Sequence, residues 1–357
     1  MSPKTFFIDK LGVDPEKCLH GRYKDYPERS CQDVCPNKAI TLNPLEIDHG
    51  LCDDCGICAS VCPAGALSIK EFPLKQLLGR TISDDGAELK IRCSRAVGSC
   101  ASVTCIGALD YAFFVELCTR GAKNLRLLAG NCEGCQTAPG GGIARATVNT
   151  ANNILCLYER EERVILTESV DRQALESDSR RAMFRGIGRT ISKFVPELEG
   201  IEQDRDPGPV PVRQQRALEI LRGLEEGRRD MDPCVPLPFT AKEVDAAKCD
   251  SCNGLLKCVS FCPTEALEYS ADSRFASITF KAARCIGCGL CESACHKAAV
   301  RSCTLKSGQV EELWCTKTLM GFEARECGVC GRTVIGIHDD LCHDCQQRKR
   351  KLEWEIA

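Results

Sequence analysis

The sequence predicts an α+β protein of several small domains, and three observations carry that reading. Twenty-nine cysteines sit in 357 residues, most of them in short, regularly spaced runs towards both ends. Between the runs, short apolar segments alternate with helical ones, the pattern of a small α/β layer. Close to the C-terminus, two further CxxC pairs stand apart from the rest.

Composition sets the frame. The net charge is −3, close to neutral, so the overall balance does not point to nucleic acid as a partner. Met1 to Lys10 is too short and too mixed for a signal peptide, and no segment approaches the eighteen or so apolar residues of a membrane span. A cytoplasmic chain without direct membrane insertion is expected, and dense cysteine there means metal rather than disulfide. The odd cysteine count agrees, because a disulfide framework would leave one thiol over. Only 5% of residues are aromatic, so conventional cores are small and metal ligation should supply much of the folding free energy. The apo-protein is expected to be largely unfolded.

Two runs read CxxCxxCxxxC: Cys52, Cys55, Cys58, Cys62 followed by Pro63, and Cys285, Cys288, Cys291, Cys295. Iron atoms at the corners of a small cube each need one thiolate, and a short loop offers three to one cube only if they lie about three residues apart. An internal repeat accompanies the runs: Cys35-Pro36-Asn37-Lys38-Ala39, Cys62-Pro63-Ala64-Gly65-Ala66, Cys262-Pro263-Thr264-Glu265-Ala266 and Cys295-His296-Lys297-Ala298-Ala299. Proline after the last cysteine fixes φ and helps turn the chain away, and His296 replaces it in the fourth copy.

These runs resemble the bacterial ferredoxin signature, which implies two dicluster ferredoxin-like modules with 4Fe-4S clusters, at 1–76 and 236–308. In the family's crossed arrangement the fourth cysteine of each run closes the neighbouring cube. For the second module this implies one cube on Cys249, Cys252, Cys258 and Cys295, and another on Cys262, Cys285, Cys288 and Cys291. Structural zinc fits these runs poorly, since zinc sites use separated CxxC pairs.

The first module resembles the same family but is incomplete. Cys35, Cys52, Cys55 and Cys58 supply one full cube, whereas the other has only Cys18, Cys31 and Cys62. Counting back from Cys31 puts Glu28 at the missing ligand position. Three outcomes are open: a 3Fe-4S cluster, a 4Fe-4S cluster with a ligand such as His20 or Glu28, or no cluster with Cys18 a buried thiol.

Residues 80–168 form the α/β domain. Leu89 to Ile91, Ser102 to Ile106, Asn124 to Leu128 and Val164 to Leu166 read as short buried strands, and Leu109 to Arg120 and Ile143 to Arg160 as helices, the first stopped by Gly121. The alternation suggests a parallel sheet. Cys105-Ile106-Gly107-Ala108-Leu109-Asp110, Gly121-Ala122 and Gly130-Asn131-Cys132-Glu133-Gly134-Cys135 resemble the small iron–sulfur delta subunit of methyl-viologen-reducing hydrogenases. The resemblance implies a 2Fe-2S cluster on Cys93, Cys105, Cys132 and Cys135, with Cys100 in reserve. A glycine–aspartate–cysteine–histidine segment of that family is replaced here by Gln136-Thr137-Ala138-Pro139-Gly140. The alternative is ordinary buried cysteines, the class expected for Cys118 and Cys156.

Residues 169–235 read as two polar helices around the Pro207-Gly208-Pro209-Val210-Pro211 break. Arg180, Arg181, Arg185, Arg189 and Lys193 make either a docking face for an acidic partner or a solvated helix face. In 315–357, the pairs Cys327/Cys330 and Cys342/Cys345 have the spacing of a zinc ribbon, four thiolates closing a tetrahedron on one ion. A rubredoxin-like iron is the rival, and His338 and His343 are not expected as ligands. Cys234, Cys303 and Cys315 have no evident partners.

No dinucleotide fingerprint, phosphate loop, serine–histidine–acid set or framed carboxylate pair is present in the sequence. The expected function is an iron–sulfur electron-transfer subunit, not itself an enzyme, with three to four cubane-type clusters. Its partner would be a catalytic oxidoreductase subunit carrying pterin, flavin or nickel–iron: a formate dehydrogenase, hydrogenase, aldehyde oxidoreductase or flavin-based complex of anaerobic metabolism. The alternatives are a cluster-based redox sensor or assembly factor for a redox enzyme, and an enzyme cleaving a disulfide at the central cluster.

Overall fold

A computed structural model describes residues 11–69, 88–98, 100–168, 210–224, 234–272, 274–335 and 341–356. The arginine series 180–193, the Pro207-Gly208-Pro209 break, the first of the two polar helices and His338 lie outside the described residues. The chain divides into two compact units, one of Met1–Gly21 and Glu28–Met231, the other of Arg22–Pro27 and Asp232–Ala357.

In the first unit, strand Leu11–Val13 pairs antiparallel with Leu67–Ile69, and Ile40–Thr41 with Glu46–Ile47. Leu11, Ile40, Leu45 and Leu67 form a core in which Cys18, Cys58 and Cys62 take part, with Cys31 and Cys35 packed against it. Sulfur here occupies the place that aliphatic side chains fill elsewhere.

The α/β layer follows. Its sheet runs Ala101–Val103, Leu89–Cys93, Asn124–Ala129, Arg163–Glu168, every neighbouring pair parallel, as the alternating pattern predicted. Helix Tyr111–Thr119 starts at Asp110, whose carboxylate accepts the Phe113 amide at 2.8 Å. It is almost wholly buried, and Phe113, Phe114 and Leu117 are the bulk of the core with Leu125 and Leu127. The second helix begins at Pro139, earlier than expected, and ends at Leu157. Proline at the first turn lacks only an amide that no carbonyl would have met. Cys118 is buried as expected, but Cys156 is exposed, because it lies one residue off the buried face of Ile154, Leu155 and Leu157. Helix Val212–Leu224 is polar with Ala217 and Leu221 buried, and Arg216 reaches the buried Glu116 carboxylate at 3.5 Å.

The second unit repeats the first module's plan with longer strands. Pro236–Val244 pairs antiparallel with Val300–Lys306, and Leu267–Ala271 with Phe275–Lys281. Phe275–Lys281 also pairs with Thr316–Glu326, which turns back into Thr333–Ile335 before the C-terminal helix His343–Ile356. The segment Arg22–Pro27 packs in this unit: the Tyr26 hydroxyl donates to the Cys288 carbonyl, and the Tyr23 and Phe261 rings meet edge to face at 5.4 Å.

Candidate metal centres

The same backbone device recurs after every cysteine of the repeat. Three residues on, Lys38, Gly65, Glu265 and Ala298 have φ of 53°, 65°, 53° and 48°. This left-handed turn swings the next amide back to the sulfur. Ala39, Ala266 and Ala299 donate to Cys35, Cys262 and Cys295 at 3.3, 3.2 and 3.3 Å. Within the two CxxCxxC runs, Asp54 and Gly56 match Gly287 and Gly289, all at positive φ. Backbone that alternates in handedness turns amides inward, the concavity that suits an anionic cluster.

Cys35, Cys52, Cys55 and Cys58 line one pocket in the first unit. Burial pushes the Cys58 thiol up to about 12, with Cys55, Cys52 and Cys35 adding to it. In the second unit Cys262, Cys285, Cys288 and Cys291 line the equivalent pocket. Burial likewise raises Cys285 to about 12 and Cys258 to about 12, the latter helped by the sulfurs of Cys291, Cys252 and Cys249. Buried thiols this crowded are poor thiolates alone, and iron resolves the conflict by taking the proton's place. The donor sets therefore fit four-iron clusters.

Cys18, Cys31 and Cys62 also gather: burial raises Cys31 to about 11, followed by the charges of Cys62 and Cys18. The two modules share a frame that locates the missing ligand. Asp14 donates its amide to Ala66, and Asp245 to Ala299, both at 2.8 Å, and each aspartate precedes its first cysteine by four residues. Cys18 thus corresponds to Cys249, and Gly21 to Cys252. The expectation of Glu28 is corrected: its side chain is exposed and the loop before Cys31 differs in length between modules. His20 is buried, but its Nε2–H donates to the Glu28 carbonyl at 2.9 Å, so Nε2 does not face the sulfurs as a lone pair. Gly21 is exposed, and a Cβ there would meet only Pro15 O at 3.8 Å.

At Cys252 itself, the substitution of His296 for proline has a consequence that counting cysteines missed. Its Nδ1 is 3.9 Å from the Cys252 sulfur and its Nε2 is 3.3 Å from the Asp250 carboxylate.

The central four cysteines converge as well. Cys93, Cys105, Cys132 and Cys135 line one pocket at the carboxyl ends of the parallel strands, where open α/β sheets place their ligands. The Gly130 amide donates to Cys93 at 3.2 Å, and the Cys135 sulfur is 3.2 Å from the Thr137 hydroxyl. Burial raises Cys105 to about 11. Against the effect of burial, the Thr137 hydroxyl and amide bring Cys135 down. Cys100 is not among the lining residues: it precedes Ala101–Val103 and so lies at the amino end of the sheet, which corrects its reserve role.

Near the C-terminus, one ligand atom each of Cys327, Cys330, Cys342 and Cys345 lies within 4.8 Å of the others. Cys330 and Cys342 sulfurs are 3.5 Å apart. Four sulfurs about 2.3 Å from one ion would be about 3.8 Å apart, which fits a single metal and not an iron–sulfur cube. Amides of Cys342, Val329 and Cys330 converge on Cys327 and bring its thiol down to about 6. Burial is not the cause there. The His343 side chain is not part of this group.

Residues 248–299 match a 4Fe-4S dicluster domain, and residues 25–72 match an LdpA Fe-S cluster-binding domain. No curated protein matches the chain. The first match includes every cysteine of the second module's two candidate sites, whereas the second match leaves Cys18 outside. Both halves of the chain thus carry iron–sulfur binding domains. Among the described residues no helix is long and apolar enough to cross a membrane.

Proposed function

We propose that the chain is an iron–sulfur electron-transfer subunit that relays electrons between its clusters and a catalytic oxidoreductase subunit carrying pterin, flavin or nickel–iron. The observation that carries this is the junction inside the first unit. Ile57, fully buried between Cys55 and Cys58, has its Cδ1 3.0 Å from where a Gly140 Cβ would stand, and that same point is 2.3 Å from the Cys105 sulfur. The Ser60 hydroxyl bridges the two elements, donating to the Gly107 carbonyl at 2.7 Å.

The Cys35/Cys52/Cys55/Cys58 site and the Cys93/Cys105/Cys132/Cys135 site therefore meet through packed protein. Two redox centres so close exchange electrons without leaving the protein interior. In this reading the first holds 4Fe-4S and the second 2Fe-2S, while Cys327, Cys330, Cys342 and Cys345 hold a structural zinc. Apart from the three-cysteine site of Cys18, Cys31 and Cys62, each site is closed by four thiolates that hold metal and leave no position for substrate, which supports a carrier rather than an enzyme.

The test is anaerobic purification with iron, sulfide and zinc analysis, then paramagnetic resonance of the reduced protein. A magnetic interaction between two centres that disappears in Cys105→Ser is the expected result. Iron in the terminal modules but none on the central cysteines would end the relay reading and favour a sensor.

A further inference from the structure

The shared frame that aligns the two modules also exposes a difference between their otherwise matching pockets. Lys242 lines the pocket of Cys262, Cys285, Cys288 and Cys291, and it is 2% exposed, rare for a lysine. Its ammonium lies 2.6 Å from Glu292 Oε1 and donates to the Ser302 hydroxyl, which in turn donates to Glu292. Lys242 and Ser302 are opposite each other in the strand pair, and Glu292 follows Cys291.

Carried across the frame, Lys242 corresponds to Leu11, Ser302 to Ile69 and Glu292 to Ala59. Leu11 and Ile69 are opposite each other in the same register, and Leu11 lines the pocket of Cys35, Cys52, Cys55 and Cys58. One pocket has a buried polar triad, and the other has three apolar residues in the same places. Electrostatically the cation dominates: among the charges acting on Cys291, that of Lys242 outweighs that of Glu292, whose side chain is 34% exposed and solvent-screened. The pair thus turns its positive end to the sulfurs.

We propose that Lys242, positioned by Glu292 and Ser302, raises the reduction potential of the cluster held by Cys262, Cys285, Cys288 and Cys291 and makes it the electron-holding site of the second module. This rests on the electron-transfer reading above. Reduction adds one negative charge to a cluster already anionic, and a desolvated cation beside it stabilises the reduced form. At the module's other site the Asp250 carboxylate, beside Cys249 and Cys252, is paired with His296 at 3.3 Å and Lys297 at 3.9 Å, both exposed, so among the described residues no desolvated cation acts there. The two sites of one module are thereby made unequal, and an electron entering at either settles on the Lys242 side.

The experiment is a potentiometric titration of the anaerobically purified full chain, followed by paramagnetic resonance. Lys242→Leu should lower one midpoint so that its reduced fraction at fixed potential falls about tenfold, ~59 mV for one electron. Lys242→Arg should hold it near the parent value. Glu292→Gln, which keeps the cation in place, should move the same midpoint up, so a Lys242→Leu variant that failed to load iron would still leave the sign readable. The triple change Lys242→Leu, Glu292→Ala, Ser302→Ile copies the first module and should lie below the parent but above Lys242→Leu, because it removes the Glu292 charge as well as the cation. Midpoints unmoved by Glu292→Gln and Lys242→Leu, or moved in the same direction by both, would overturn the proposal. A colourless parent protein without acid-labile sulfide would overturn the electron-transfer reading itself, and is visible before any titration.

Discussion

Gly140 lies so close to Cys105 that a Cβ on it would stand 2.3 Å from the sulfur. The helix could otherwise gain from alanine, by about 1 kcal/mol. Here the clash decides, because Cys105 is held by a buried loop and overpacking costs about 1–3 kcal/mol. On the proposed reading, Gly140→Ala should lose the cluster of Cys93, Cys105, Cys132 and Cys135 while the terminal modules keep their iron, as read by resonance spectra and iron content.

Gly21→Cys should complete the first module. Its position corresponds to Cys252, and the added Cβ would make only an ordinary contact, with Pro15 O at 3.8 Å. Iron content is expected to rise by roughly one atom per chain, with loss of any oxidised three-iron signal. An unchanged iron count and spectrum would mean that Cys18, Cys31 and Cys62 hold no cluster.

A zinc ion held by Cys327, Cys330, Cys342 and Cys345 should be released by acid in a recognisable way. Metal binding displaces protons, and Cys327, with its thiol near 6, has already lost its proton at neutral pH. Below about pH 6 it becomes one more proton to displace. The slope of log affinity for zinc against pH should therefore steepen by about one there, in competition with a chromophoric chelator. In Cys327→Ser that extra step should vanish.

Stripping iron should unfold the chain unevenly. In the first module the core is closed by Cys18, Cys58 and Cys62, whereas the parallel layer is closed by Phe113, Phe114, Leu117, Leu125 and Leu127. Amide exchange after anaerobic chelation should show the modules unprotected and Asn124–Ala129 still protected. That narrows the sequence expectation of a largely unfolded apo-protein.

How much of this was legible follows from how far apart the informative residues lie. Cysteine runs encode their chemistry in local spacing, so the gathering of Cys52, Cys55 and Cys58 could be read directly. The four strands of the parallel layer were legible for the same reason, each being a short apolar stretch between helices. Gly21 was not, since only the Asp14 and Asp245 hydrogen bonds align two loops of unequal length. Nor was the Lys242, Glu292 and Ser302 triad, whose members come together only through strand pairing. The apolar pattern begins helix Pro139–Leu157 only at Ile143, because Gly140 and Gly141 carry no side chain to show a face and are small to clear the sulfurs of Cys105 and Cys132.

Of the four turns that follow the repeat cysteines, only the one at Gly65 has a residue for which left-handed backbone is free of penalty. Lys38, Glu265 and Ala298 are kept there by what surrounds them, and the loops would relax once the inorganic core were gone. Because Cys35 and Cys262 each reach over to the run of the opposite half, that relaxation would withdraw a sulfur from one site and slacken the loop of its neighbour together. Oxidative damage in such a module should not accumulate piecemeal: it ought to fail as a pair and be rebuilt as a pair.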